Sequence, residues 1–180
     1  PFEDGDDTTS GRAVVWGNAE RAPWIILCEG IETGSAVAFA FPSEVETGEV
    51  AVASAITAGG VEAFRLYSNT TRVTVAADRD EAPKPDGRPG SRRGEQAARR
   101  FGLRHHETPS IAVALPGQPG QSLYWLDAFK RDGAAAVRLG VGAVPEGVAG
   151  DDGVDDGVVG RRGTAVDGHA PALEAIHHVV

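Results

Sequence analysis

Three acids stand where apolar runs end in this chain. Glu29 follows Trp24-Ile-Ile-Leu-Cys28, and Asp78 and Asp80 follow Arg72-Val-Thr-Val-Ala-Ala77. A single acid at the end of a strand is ordinary turn chemistry. Asp78-x-Asp80 is more specific, because alternate side chains point the same way while strand geometry persists. Like charges gathered on one rim cost energy unless something neutralises them. A hard divalent cation, Mg2+ or Mn2+, does so with oxygen ligands, keeping several waters and taking one or two carboxylates plus substrate phosphates. Glu29 either completes such a site or serves as general acid/base on a hydroxyl.

The acids share a rim only if the runs before them lie side by side. Residues 24–28 and 50–56 are short, continuous and apolar, which suits strands buried on both faces of a parallel sheet. Residues 72–77 and 110–115 supply two more strands, the former rich in β-branched residues. Helices are expected between them: 33–41, capped by Thr33 and ended by Pro42; a short one at 61–66; 94–103, with Ala97, Ala98 and Phe101 inside and Arg99 and Arg100 outside; and 123–131. Strands alternating with helices imply right-handed crossovers and a parallel sheet, whose ligands lie beyond the carboxyl ends of the strands. Val14–Trp16 is a candidate edge strand. Residues 43–49 read as a Glu-rich loop and 81–93 as a long Pro/Gly/basic loop, of a length that is functional or disordered.

Composition bounds the rest. The chain has 180 residues, 41% of them hydrophobic, enough for one good core. Its single cysteine excludes an internal disulfide framework and argues against a Cys-rich zinc site. No apolar run reaches the ~18–20 residues of a membrane-spanning helix, and no secretory signal is visible; a cytoplasmic home is the default expectation. A start at Pro1 and the absence of Met point to a processed chain or a piece of a longer one. The formal charge of −9 is uneven: residues 1–20 and 136–180 each carry −4, whereas 84–104 carries +5. Local fields steer polyanions more than the total does. Residues 1–20 read as a polar N-terminal segment or the end of a preceding domain, 21–135 as the folded domain, and 136–180 as a flexible Gly/Asp-rich linker or tail. In that tail Asp-Asp-Gly-Val recurs imperfectly over 151–160, and a short helix at 171–178 is possible.

Ile26-Leu-Cys-Glu29-Gly30-Ile-Glu32-Thr33, then Ala58-Gly59-Gly60, then Val75-Ala-Ala-Asp78-Arg-Asp80, resembles a Toprim domain. This metal-binding catalytic module is shared by bacterial-type DNA primases, type IA and II topoisomerases and some nucleases; the pattern is most similar to that of primases and primase-helicases of phages and integrated elements. Gly94, Ala97 and Ala98 resemble the helix start that follows the family's Asp-x-Asp, and Tyr124-Trp-Leu-Asp127 resembles its late Asp-containing element. The likeness covers about residues 20–133. It departs from the family in the insertion 81–93 and in Tyr124, where an acid is common. It implies a Rossmann-like α/β fold with a mainly parallel four-stranded sheet flanked by helices. It also implies metal ligation of Mg2+ or Mn2+ by Asp78 and Asp80, with Glu29 as acid/base or further ligand. The activity implied is template-directed nucleotidyl transfer that makes a short RNA primer. The implied partners are a DNA template, nucleoside triphosphates and a replicative helicase, fused or separate. A Toprim nuclease of the overcoming-lysogenisation-defect or small-Toprim type, and a non-catalytic module binding DNA or a helicase, are the alternatives.

Around that centre, Lys84, Arg88, Arg92, Arg93 and Arg99 are expected to contact nucleic-acid phosphates, the alternative being a solvated face. Glu32 reads as a capping acid at a helix start, with an auxiliary ligand role behind it, and Asp127 is a further auxiliary acid. Gly59-Gly60 reads as a tight strand-to-helix turn that could also admit a phosphate. Cys28, Trp125 and Phe129 are assigned to the core, and His105-His106 to a surface connection.

Overall fold

The computed structural model of the protein describes residues 12–108, 110–143 and the backbone of 175–176. Trp24–Cys28 (β2) runs through its centre, with its last four residues fully buried. Val50–Ser54 (β3) lies parallel on one side, and Arg72–Ala76 (β4) then Ser110–Ala114 (β6) lie parallel on the other. Val14–Trp16 (β1) borders β3 antiparallel, and Ala175–Ile176 (β8) borders β6 antiparallel. The order is therefore β1-β3-β2-β4-β6-β8. The four parallel strands are those expected from the apolar runs, within two residues at each end. The edge strand at Val14–Trp16 is present as expected.

Helices cover both faces. Ile31–Ala40 (α1), Pro42–Thr47 (α2) and Trp125–Gly142 (α5) lie on the face of Ile26, Cys28, Val52 and Ala76. Ala58–Ala63 (α3) and Arg93–Arg104 (α4) lie on the face of Ile25, Leu27, Val73 and Val75. The chain leaves β2 for β3 through α1 on one face, then returns past β2 to β4 through α3 on the other. This reversal makes the carboxyl ends of β2 and β4 the crevice of the sheet.

Several local expectations need correction. Thr33 does not cap α1: Gly30 occupies the N-cap without a side-chain cap bond, and Thr33 is buried inside the helix. Pro42 does not only end α1 but also opens α2, where its missing N–H costs nothing. The segment 43–49 is thus largely helical rather than a loop. Residues 136–142, expected as part of the tail, belong to α5, which continues to Gly142. Gly133, at φ 81° and ψ 178°, breaks the helix and resets its face, so that Val137 and Val141 are buried. The helix expected at 171–178 contains the β8 pair 175–176 instead, and its remaining residues, like residues 1–11 of the expected polar segment, lie outside the described ones.

The turn from β3 to α3 is unusually tight. Thr57 N–H donates to Ala55 O at 2.8 Å across Ile56, whose φ is 69°. This is the rare positive-φ γ-turn, at a β-branched residue for which that region costs about 1–3 kcal/mol. Thr57 then caps α3 through Gly60 N–H at 2.9 Å. A Cβ on Gly60 would lie 2.1 Å from Ala55 O. Gly60 is thus required by the close packing of the turn, whereas Gly59 has room around it. Gly60→Ala is expected to destabilise the fold by about 1–3 kcal/mol, read as a lowered urea midpoint with unchanged slope; Gly59→Ala, whose Cβ would meet only Thr57 Oγ1 at 3.9 Å, leaves that midpoint nearly unchanged.

Candidate functional site

Glu29 and Asp78 leave the sheet at the ends of β2 and β4, which pair in register up to Cys28 and Ala76. Past Ala76 the chain turns away from the sheet, and Arg79–Asp80 (β5) pairs antiparallel with Ser122–Leu123 (β7) in a separate ribbon. Asp78 lies at this departure. Its carboxylate accepts from Thr33 Oγ1 at 3.1 Å and from Trp125 N–H at 3.0 Å. Trp125, with none of its surface exposed, also donates its indole N–H to Ala77 O at 3.0 Å. One aspartate thus joins β4 to the starts of α1 and α5.

A cleft of about 530 Å³ opens over this joint. It is lined by Glu29, Glu32, Asp78, Asp80 and Asp127, with Arg93 as the one cation among its lining residues. Gly94 forms its wall: a Cβ there would lie 3.4 Å from Glu29 Oε2 and 3.6 Å from Asp78 O. Gly94 thus packs beside the Glu29 carboxylate and the backbone of Asp78, and both acids line the same cleft. The acids influence one another. Burial, with the charges of Glu29 and Asp127 adding to it, pushes the Asp78 carboxyl up from its usual 3.8 to about 6, although its two hydrogen-bond donors pull the other way. Burial, reinforced by Asp78, also pushes the Cys28 thiol up, so the cysteine is an inert core residue as expected.

Asp80 reaches the same cleft but is held differently. Its carboxylate accepts from the Ser91 N–H at 3.1 Å, from the Ser91 hydroxyl, and from Ser122 Oγ at 3.2 Å. The Ser91 bonds hold its pKa below the ordinary aspartate range. Arg79, between the two aspartates, points into the protein with 1% of its surface exposed. Its Nε donates to Pro116 O at 2.8 Å, and its Nη1 pairs with Glu81. The loop 81–93 is therefore pinned at both ends, by Glu81 and by Ser91. Ser91 and Ser122 are not distinguished by the sequence, where short hydroxyl residues in loops carry no signal, and Thr33 reads there as a helix cap and not as a partner of Asp78.

The expected phosphate-contacting residues divide. Arg93 lines the cleft, and the charge of Lys84 acts on Asp80. Arg88 instead pairs with Asp86 within a local turn. Arg92 and Arg99 both clamp Glu95, which is 5% exposed, at 2.9 and 2.8 Å. These three guanidiniums are engaged by the protein's own carboxylates. His105 stacks against Phe101 and contacts Phe64 O, in a structural role.

The donor set suits a hard cation bound through oxygens. No three acids, histidines or cysteines among the described residues stand close enough to hold a metal by themselves. The geometry fits instead the arrangement typical of Mg2+, with one or two carboxylates and the remainder of the shell from water and substrate. Glu29 and Asp78, which line the cleft together and whose charges act on one another, are the pair that would provide it.

Asp78 makes the metal-free protein pH-sensitive. A carboxyl whose folded pKa lies above its unfolded one contributes stability that is complete below about pH 4 and is lost as pH rises through about 6. Metal-free protein is expected to lose about 1 kcal/mol between pH 5 and pH 7 by this route. In Asp78→Asn that component is absent. Urea unfolding of both proteins at the two pH values, in chelator, measures the difference.

No helix among the described residues is long and apolar enough to cross a membrane. No curated protein and no solved structure matches the chain. The family described as "Toprim domain" matches residues 24–135, which contain every strand and acid of the cleft. The chain therefore belongs to the Toprim family of metal-dependent nucleic-acid-processing domains.

Proposed function

We propose that the protein is the metal-dependent nucleotidyl-transfer domain of a DNA primase of a phage or mobile element. The observation that supports it most is the gathering of Glu29, Asp78 and Asp80 in one cleft at the crevice of the sheet. The order Glu29-Gly-Ile-Glu-Thr, then Asp78-x-Asp80, is similar to that of primase-type members of the family. The cofactor in this reading is Mg2+ or Mn2+, held by Asp78 and Glu29 with Asp80 at the margin. Bound there, it supplies charge stabilisation at the reacting phosphorus and orients the phosphates.

The chain's own residues have separable tasks. Asp78 is fixed by Thr33 and Trp125 N–H, so its carboxylate needs little reorganisation on binding. Asp80, whose pKa is lowered by Ser91, stays ionised across the neutral range and carries negative charge toward the cation. Glu29 is the group at hand to take or return the proton of an attacking hydroxyl. Arg93 is the cation in the cleft that can meet a substrate phosphate, and Lys84, whose charge acts on Asp80, is a second candidate in this reading. Template DNA, nucleoside triphosphates and a replicative helicase are the proposed partners, and the interior of a cell the proposed compartment.

Calorimetric titration with Mg2+ and Mn2+ is expected to show binding by the wild type. The same titration should show at least a tenfold loss in Asp78→Asn and in Glu29→Gln, with a smaller loss in Asp80→Asn. Equal binding by all four proteins would overturn the site. The reaction is then decided by incubation with single-stranded DNA, ribonucleotides and Mn2+. Labelled primers support the primase reading, whereas strand cleavage without added nucleotides assigns the same acids to a nuclease.

A further inference from the structure

Beside the acidic cleft lies a second hollow of about 520 Å³, lined by Gly30, Ile31, Glu32, Ser35, Ile56 and Leu126. The two hollows share Gly30, Glu32, Ile56 and Leu126, so they form one continuous depression with an acidic end and an apolar end. Ile31 and Ile56 stand 46% and 44% exposed at the apolar end. Ile56 belongs to neither core cluster. It nevertheless occupies the positive-φ centre of a γ-turn, where glycine or asparagine would be less strained. Packing within the domain does not account for a strained, exposed, β-branched residue. A ligand lying on it does.

The geometry points to a seat for a nucleobase on Ile31, Ile56 and Leu126, for a nucleotide whose phosphate is held at the acidic end. The inference rests on the metal–phosphate reading of the cleft and adds the other half of the ligand. A nucleotide has the matching polarity: a polyanionic end that needs a cation, and a planar end whose faces are apolar. The hollow, at about 520 Å³, is of small-ligand size. It continues directly into the acidic cleft, which suits one ligand bridging both. The nucleotide is either free or the terminal unit of a strand; the chemistry recognised is the same.

Binding in Mg2+ separates these cases with three probes: tripolyphosphate, ATP and a 5′-phosphorylated hexathymidylate. The wild type is expected to bind ATP, or the oligonucleotide, about tenfold more tightly than tripolyphosphate, the gain from covering one base face. The gain in ATP identifies a free nucleotide, and a gain confined to the oligonucleotide identifies a strand end. In Ile56→Gly and in Ile31→Ser that advantage falls to about twofold or less, while affinities for Mg2+ and tripolyphosphate stay unchanged. Ile56→Gly relieves the positive φ, so its retained thermal midpoint shows that the loss is not unfolding. An advantage undiminished in both variants, or absent from the wild type, would overturn the seat and leave the metal site standing. Failure of the wild type to bind Mg2+ alone would overturn both.

Discussion

Asp78 is the point at which the fold and its chemistry are the same problem. Strand β4 must end and turn out of the sheet just where α1 and α5 begin, and three backbone or side-chain groups there need partners. The carboxylate answers Thr33 and the Trp125 N–H, while Trp125 returns a bond to Ala77 O. Burial makes the ionised form costly, which is why the group titrates near 6 instead of near 4. A charge held in place under that cost is ready to be met by a cation. The same feature that strains the metal-free domain thus prepares its site.

Much of this was legible in the residues. The apolar run at 24–28 and the β-branched stretch at 72–77 announce strands, and the acids directly after them fall at one crevice by topology alone. What escaped has physical reasons. The β5–β7 ribbon rests on two residue pairs, too few for any periodicity to register. Thr33 reads as a helix cap because threonine favours that position, whereas the cap is Gly30, which has no side chain to announce it, and Thr33 bonds Asp78. Residues 136–142 looked like tail because Gly133 breaks the helical phase that Val137 and Val141 then resume.

The basic stretch shows how far sequence charge differs from available charge. Arg92 and Arg99 stand on the same side of α4 and enclose Glu95, and Arg92 approaches Glu81, which is already paired with buried Arg79. Pairs this extensive hold the long loop against the helix and spend the positive charge inside the molecule. Arg93 lines the cleft, whereas the guanidiniums of Arg88, Arg92 and Arg99, although solvent-exposed, already have carboxylate partners. A run of arginines is a nucleic-acid surface only where the fold leaves them without acids of their own.

The two borders of the sheet differ from its interior. Neighbouring parallel strands make five register pairs with one another, whereas β1 makes three with β3 and β8 makes two with β6. Both border segments run antiparallel to the strands they cover. A foreign strand arriving at either side would find a ladder too short to reward it, although the apolar strands behind are well suited to extension. The least stable pairings of the sheet are therefore the ones that discourage its polymerisation.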